Sequence, residues 1–345
     1  MERKGLVYIR IAEFLKKIGM SPGGALMFVL LAVTPLLLQD EFWTRLLAIS
    51  LMMGALAMSF DFTAGFININ NFGLAAFWGL GGYTSAILAV KLGISPWIGI
   101  VVGALAAALL GFLVGILTLR LAGIFASCMT WFVALALMAV TTNWVELTEG
   151  SSGLSTPYLI DTVSNLPYFY LILILTIGIY IVLRLVTKSH IGIAFKAIGQ
   201  DPQAAAASGI NITKYKIFNM TLSCALAGLI GGFYAHYVGV LTPNVMHTKN
   251  TIEALAICYV GGRGSIWGSI ISALILVPAM EFMKGMMELR LVLYGALLIL
   301  VMLFYPAGLS GLCETFYKFI SNKGLFGKMG LLKNVRGQGS SQSSK

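Results

Sequence analysis

The sequence predicts an all-α polytopic membrane protein with about ten transmembrane segments, one of them short or broken, and with both ends in the cytoplasm. Of the 345 residues, 58% are hydrophobic and only 10% are charged, whereas soluble domains contain roughly 25% charged residues. Mean hydropathy is +0.89. Basic residues are concentrated in alternate segments between apolar runs, as the positive-inside rule predicts for a protein that crosses the bilayer repeatedly.

Ten apolar segments account for the predicted crossings. They lie near 23–39, 42–60, 66–90, 96–118, 121–144, 166–186, 214–240, 251–262, 265–283 and 290–309. The segment 251–262 would be only about 18 Å long as a helix, whereas the hydrocarbon core is about 30 Å thick. We therefore expect a half-helix or a re-entrant segment there, ending at the break Gly261-Gly262-Arg263-Gly264.

A second interruption is expected within 61–82, where Gly65, three asparagines and Gly79-Leu80-Gly81-Gly82 follow one another. Interrupted helices are tolerated in membranes only beside protein or a water-filled path. Polar residues at these breaks are therefore candidates for a translocation path: Asn68, Asn70, Asn71, Glu253 and Arg263.

Each of these candidates also has an ordinary structural explanation. The asparagines could cap or bond the helix break. Arg263 and the nearby Asp61 could lie at the membrane interface, and Glu253 could face external water.

The distribution of Lys and Arg orients the chain. With the N-terminus in the cytoplasm, 17 of the 23 basic residues fall on the cytoplasmic side, which is the expected asymmetry. We expect residues 1–20 to form a cytoplasmic amphipathic segment on the membrane surface. Residues 21–312 are expected to form the transmembrane permease domain, and 313–345 a flexible cytoplasmic tail.

Small residues recur at every fourth position of the segment 96–118. They are Gly99, Gly103, Ala107, Gly111 and Gly115. A helix face of this kind allows another helix backbone to approach closely. Packing within the chain and contact with a partner subunit are both compatible with the stripe.

The cytoplasmic loop 187–213 contains a short predicted helix with clear end signals. Asp201 suits the N-cap, Pro202 the first helical position and Gly209 the residue after the C-terminus. A helix of about seven residues is not stable alone. It either rests on its own membrane domain or docks into a groove of a cytoplasmic motor. The residues assigned to this coupling role are Asp201, Pro202, Ala205, Ala206, Gly209 and Asn211.

Catalytic, metal-binding and nucleotide-binding patterns are missing from the sequence. The three histidines lie in different segments without an HExxH arrangement, and neither GxSxG nor GxxxxGK[ST] occurs. The sequence therefore predicts a protein that is not an enzyme, has no cofactor and binds no nucleic acid. The net charge of +10 is assigned to topology and to contact with anionic lipid of the bilayer. ATP-driven transport would need an ATPase on another polypeptide.

Four runs resemble signatures of one transporter family. They are NFGLAAFWGLGGYT from Asn71, KAIGQDPQAAAASGINITKYK from Lys196, GGRGSIWG from Gly261 and YPAGL from Tyr305. In order and spacing, from about residue 50 to 312, they resemble branched-chain amino acid ABC transporter permeases of the LivM type.

This resemblance implies a multi-pass subunit of the cell (inner or plasma) membrane that imports leucine, isoleucine or valine. The implied partners are a homologous second permease, two cytoplasmic ABC ATPases and an external or periplasmic solute-binding protein. Related permeases carry urea or short amides. The loop starting at Thr148-Glu149-Gly150 departs from the Thr-Gly-Gly start usual in the family, and this departure leaves the solute open.

Two other classes of function are alternatives to the importer, namely a secondary transporter and a membrane enzyme. A stand-alone ion-coupled secondary transporter would need carboxylates or a cation site within the membrane, and only Glu253 and Asp61 are available. A membrane enzyme is disfavoured because the sequence contains no catalytic cluster.

Overall fold

The computed structural model describes residues 22–38, 40–119, 121, 123–160, 162, 164–286, 289–304 and 308–311. The amphipathic segment expected over 1–20 and the tail expected over 313–345 lie outside the described residues. Within the described ranges the protein is almost entirely helical, with one antiparallel pair of two-residue strands.

The elements follow the chain in this order. The α-helices are α1 Pro22–Leu38, α2 Glu41–Ala64, α3 Leu74–Leu92, α4 Pro96–Thr118, α5 Ile124–Asn143, α6 Val145–Thr148, α7 Leu166–Lys188, α8 His190–Gln200, α9 Pro202–Ala207, α10 Ile212–Val238, α11 Thr248–Gly261, α12 Ile266–Phe282 and α13 Leu289–Phe304. The strands are β1 Leu154–Ser155 and β2 Val240–Leu241. Single 3-10 turns occupy Gly150–Ser152, Pro243–Met246 and Met283–Met286.

Every one of the ten predicted apolar segments contains an α-helix. Among the described residues, six helices are long and apolar enough to cross a membrane. They are Glu41–Ala64, Pro96–Thr118, Ile124–Asn143, Leu166–Lys188, Ile212–Val238 and Ile266–Gly285. The chain is therefore an all-α, multi-pass membrane protein. Ten crossings and a cytoplasmic location for both ends stay predictions.

The two ends of the helix bundle can be told apart by what they carry. At one end, here called the strand end, β1 pairs with β2 directly after α10. The start of α2 lies beside the start of α7 at Glu41, whose Oε2 accepts from Asn165 N at 3.1 Å. At the other end, called the α9 end, the Phe62 ring near the end of α2 packs on Phe195 of α8 with centroids 5.4 Å apart.

The glycine stripe of α4 is buried against the chain's own helices. A Cβ atom on Gly103 would collide with the carbonyl oxygen of Gly81 in α3. A Cβ on Gly111 would lie 2.5 Å from the Cβ of Cys224 in α10. Gly99 faces Ser85, and Gly115 faces Ile217. The stripe therefore serves packing within the chain.

The second expected interruption is shorter than the sequence indicated. Only residues 65–73 leave the helical path, and α3 runs unbroken through Gly79, Gly81 and Gly82. The expectation that these glycines belong to the break is wrong. They are packing residues, because a Cβ on Gly81 would collide with Gly228 of α10 and a Cβ on Gly79 with the Met246 side chain.

Candidate translocation site

Two helices begin close to the middle of the bundle and meet there. The backbone N–H of Ala75, in the first turn of α3, donates to the Thr251 hydroxyl in the first turn of α11, at 3.1 Å. Just before α3, the Asn71 amide contacts the Cys224 sulfur at 3.7 Å. Cys224 lies near the midpoint of the 27-residue α10, which places this meeting point at mid-depth.

From this point α3 and α11 run in opposite directions. In α3, the Ser85 hydroxyl is 2.8 Å from His236 Nε2, close to the end of α10 at the strand end. In α11, the Cys258 thiol donates to Asp61 at 3.4 Å, near the α9 end. With 14 residues, α11 is about 21 Å long. The half-helix predicted for 251–262 is thus confirmed as a 14-residue helix that ends at the expected glycine break.

All three candidate asparagines hold the break between α2 and α3. Asn71 Oδ1 accepts from Gly73 N at 3.0 Å. Asn70 Oδ1 accepts from the Tyr259 hydroxyl at 3.3 Å, and Asn68 accepts from Arg263. These contacts give each side chain a structural task. Their participation in the path stays a prediction.

The α9 end beneath the two half-helices is closed by polar contacts, here called the α9-end joint. Arg263 donates to the carbonyl of Ala64 at 2.9 Å, and its guanidinium lies 5.5 Å from the Tyr259 ring centroid. Asp61 accepts from Gly264 N at 2.7 Å. The joint therefore ties the end of α2 to the turn after α11.

Asp61 is fully buried within the protein, one turn before the end of α2, and its placement at the membrane interface stays a prediction. Its burial is stabilised by the bonds from Gly264 N and the Cys258 thiol, because a buried carboxylate needs such donors. Arg263, in contrast, is exposed at the α9 end. The sharp turn that carries it uses the left-handed glycines Gly262 and Gly264, with φ of 101° and 76°.

Two cavities with polar side chains in their walls open toward the strand end. The first has a volume of about 510 Å³ and is lined by Arg45, Tyr158, Asn165, Tyr168 and Tyr237 among others. The second has a volume of about 270 Å³ and lies between α2, α11 and α12. Arg45 of the first cavity and Ile49 of the second are one turn apart on α2.

The second cavity combines charged and apolar side chains and is here called the amphipathic cavity. Glu253, predicted from the sequence as a path residue, lines it. So do Lys249, Glu281 and Lys284, which sequence reasoning used only as orientation markers or left aside. The i, i+4 spacing of Lys249 and Glu253 at the start of a short apolar helix was the one signal available. That Glu281 and Lys284, near the end of α12, lie beside them could be learned only from the three-dimensional structure.

Helix α9 has the end signals expected of it. Asp201 Oδ1 accepts from the backbone N–H groups of Gln203 and Ala204, at 2.8 and 3.2 Å. Pro202 is the first residue of α9. Gly209 adopts φ +82°, the left-handed conformation predicted for it. Asn211 caps the following helix, accepting from Lys214 N at 3.1 Å.

Helix α9 is attached to the rest of the chain along one side only. Ala205 is buried, with 4% of its surface exposed, while Ala206 and the other residues of α9 are exposed. The preceding helix α8 is anchored deeply. A Cβ on Gly199 would collide with the Phe66 carbonyl, and Phe195 packs on Phe62. Helix α8 therefore connects α9 to the break at 65–73.

The described residues form a helical membrane domain in which α3 and α11 start at one mid-depth point and run in opposite directions. Among these residues there is no group of three or more His, Cys, Asp or Glu able to hold a metal. The family model described as branched-chain amino acid transport system / permease component matches residues 42–302. The chain belongs to this family.

The curated relatives agree with this family. The chain is 27% identical over 283 residues to the high-affinity branched-chain amino acid transport system permease protein LivM of Salmonella typhimurium, and 26% identical to that of Escherichia coli K12. Each match covers 74% of this chain and 66% of the relative, so the chain spans just under two thirds of their length.

Another relative, matched over a shorter stretch, is named for a different substrate. The autoinducer 2 import system permease protein LsrC of Yersinia enterocolitica is 30% identical over 167 residues, which are 46% of this chain and 44% of that protein. No solved structure matches the chain.

Proposed function

We propose that the chain is the permease subunit of an ATP-binding-cassette importer and forms part of the path for branched-chain amino acids. The observation that carries the proposal is the meeting of α3 and α11 at mid-depth, through Ala75 N and Thr251. Both helices are preceded by backbone that is not α-helical, residues 65–73 before α3 and 239–247 before α11. Substrate sites of membrane transporters are characteristically built at such discontinuous helices.

The partners proposed are a homologous second permease, two cytoplasmic ABC ATPases and an external or periplasmic solute-binding protein. The sequence has no nucleotide-binding loop of its own, so the work must come from another polypeptide. We propose ten crossings with the α9 end in the cytoplasm, which agrees with the basic residues that flank α8 and α9.

The contacts of α8 and α9 support a route by which movement of the ATPases could reach the membrane domain. Helix α9 is capped at its start by Asp201 and is exposed on every side but that of Ala205. Movement imposed on it would pass to α8, which contacts the break at Phe66 and the end of α2 at Phe62. A motor that tilts α9 would thus act on the α9-end joint.

A stand-alone ion-coupled transporter is the second candidate. The observation that favours it is the Asp61 Oδ2 atom, which is buried without a hydrogen-bond partner among the described residues. A carboxylate held in this way could exchange a proton. The two solutes considered for the importer, a branched-chain amino acid and urea, can also be distinguished by experiment.

Reconstitution tests the proposal. The chain is co-expressed with the ATPases, the second permease and the solute-binding protein of its own system, purified and placed in proteoliposomes. We expect leucine uptake that requires ATP and the solute-binding protein, and that stops when the ATPases are catalytically inactive. Uptake by the chain alone, driven by an ion gradient, would contradict the proposal. ATP-driven uptake of urea without leucine uptake would retain the mechanism and overturn the solute.

A further inference from the structure

We propose that the amphipathic cavity binds the zwitterionic head of a free aliphatic amino acid during translocation. This inference rests on the proposed function and deepens it, because it gives the solute a place in this chain. It also separates two solute classes: a neutral urea or amide does not need charges of both signs, whereas an amino acid does.

The charged groups of the cavity come from two helices in two pairs of opposite sign. Lys249 and Glu253 are four residues apart on α11 and therefore share one helix face. Lys284 Nζ and Glu281 Oε1, near the end of α12, form an ion pair at 2.6 Å. All four line the same cavity of about 270 Å³. A zwitterion carries its ammonium and carboxylate on one carbon, so neighbouring opposite charges match it.

A buried donor adds to the cavity. Trp78 of α3 is 5% exposed and lines the cavity. Its indole Nε1 has no hydrogen-bond partner among the described residues. An indole N–H can only donate, and leaving it unpaired costs free energy. A carboxylate held by Lys249 would supply the missing acceptor, leaving the ammonium to the carboxylate of Glu253.

The remaining wall suits an aliphatic side chain. Met53 of α2, Ile257 of α11 and Leu276 of α12 face the same space. Small-molecule sites characteristically combine an apolar lining with a few placed polar groups. The volume of about 270 Å³ is just below the roughly 300–1,000 Å³ of sites for drug-sized ligands, which fits a smaller solute of amino acid size.

The position along the path is also suitable. Residues Lys249 to Glu253 form the first turn and a half of α11, which starts at the mid-depth meeting point. The cavity extends from Lys284 at the strand end to Ile257 of α11, and the α9-end joint lies beyond it at the end of α11. A solute entering from the strand end would therefore reach this cavity before the closed joint.

A carboxylate substitution tests the site in the assembled transporter. We expect Glu253→Gln to lower leucine uptake about tenfold, the effect of losing one charge-assisted hydrogen bond, while the ATPases still co-purify. Glu146→Gln is the matched control, since Glu146 is exposed in α6 and outside the cavity. Uptake by the Glu253 variant equal to that of the control overturns the site. ATP-driven uptake by the unmodified complex, measured alongside, reports on the proposed function separately.

A second measurement does not depend on transport. Val277→Cys places a thiol on the cavity wall, and its reaction with a small water-soluble methanethiosulfonate is followed in the purified complex. The unsubstituted chain gives the background from its own cysteines. We expect L-leucine to slow the reaction and urea to leave it unchanged. An equal rate with and without L-leucine overturns the site, even if the Glu253 variant fails to assemble.

Discussion

Helices α4 and α9 are both rich in small residues, and they use them in opposite ways. In α4 the stripe from Gly99 to Gly115 is buried against α3 and α10 of the same chain. In α9 four consecutive alanines follow Gln203, and only Ala205 is buried.

The difference lies in whether the chain supplies the partner. Small side chains mark close approach between helices, and for α4 the approaching groups are present, namely the Gly81 backbone and the Cys224 side chain. For α9 most of the surface meets none of the described chain. A short capped helix that is not stabilised by its own bundle is the kind of element that a partner protein completes. The α4 stripe therefore serves packing within the chain, whereas the exposed surface of α9 is the one we propose for coupling.

The largest expected effect is the loss of the folded protein when the α4 stripe is filled. Gly103→Leu places a side chain where the Gly81 carbonyl already lies, and we expect little extractable, monodisperse protein. Two alanine substitutions in the same stripe measure the loss of stability more finely. Gly103→Ala should lose about 1–3 kcal/mol of stability through overpacking. Gly115→Ala should lose none, because its Cβ would meet Ile217 at an ordinary 3.5 Å. Equal thermal midpoints for the two alanine variants would place this face against lipid.

A smaller effect is expected at the end of α9. Gly209 has φ +82° and its Cβ position is open, so Gly209→Val is strained by backbone conformation alone, by about 1–2 kcal/mol. We expect the variant to insert normally and to lose the ATPase subunits on affinity purification. Asn tolerates this conformation, so Gly209→Asn should retain them. Retention by both variants would mean that the end of α9 does not form part of the docking surface.

The smallest effect is a labelling difference that leaves transport unchanged. Ser152 at the strand end and Ser208 after α9 are both exposed. In intact cells, an impermeant thiol reagent should label Ser152→Cys and should not label Ser208→Cys, with the unsubstituted chain as the background. Labelling of Ser208→Cys from outside would reverse the orientation and remove the cytoplasmic motor from α9.

Much of the fold follows from composition and segment length. A hydrophobic run too short to span the bilayer has to be a half-helix, and α11 is one. The residues that begin and end α9 could also be predicted from the sequence, because Asp, Pro and Gly act locally on the nearby backbone. Local signals of this kind do not need knowledge of what lies nearby in space.

The errors occurred where the meaning of a residue depends on its neighbours. Gly79 and Gly81 could mark either a break or a close contact, and only Met246 and Gly228 decide for contact. The burial of Asp61 was not visible in the sequence either, because its donors, Gly264 and Cys258, lie about two hundred positions along the chain. The amphipathic cavity was missed for the same reason, since α11 and α12 each supply half of its charges.

Coupling through α9 is the central claim, and Ala206→Trp tests it most directly. Ala206 is exposed, so the large side chain should leave the chain's own packing intact. Ala205 is unsuitable for this purpose because it is buried, and Ala206→Ser is the control of nearly unchanged size. We expect the Trp variant to reach the membrane in normal amounts, to lose the ATPase subunits on purification and to show no transport-coupled ATP hydrolysis, while the Ser variant behaves as the unmodified chain. Full ATPase association and normal transport in the Trp variant would contradict the account.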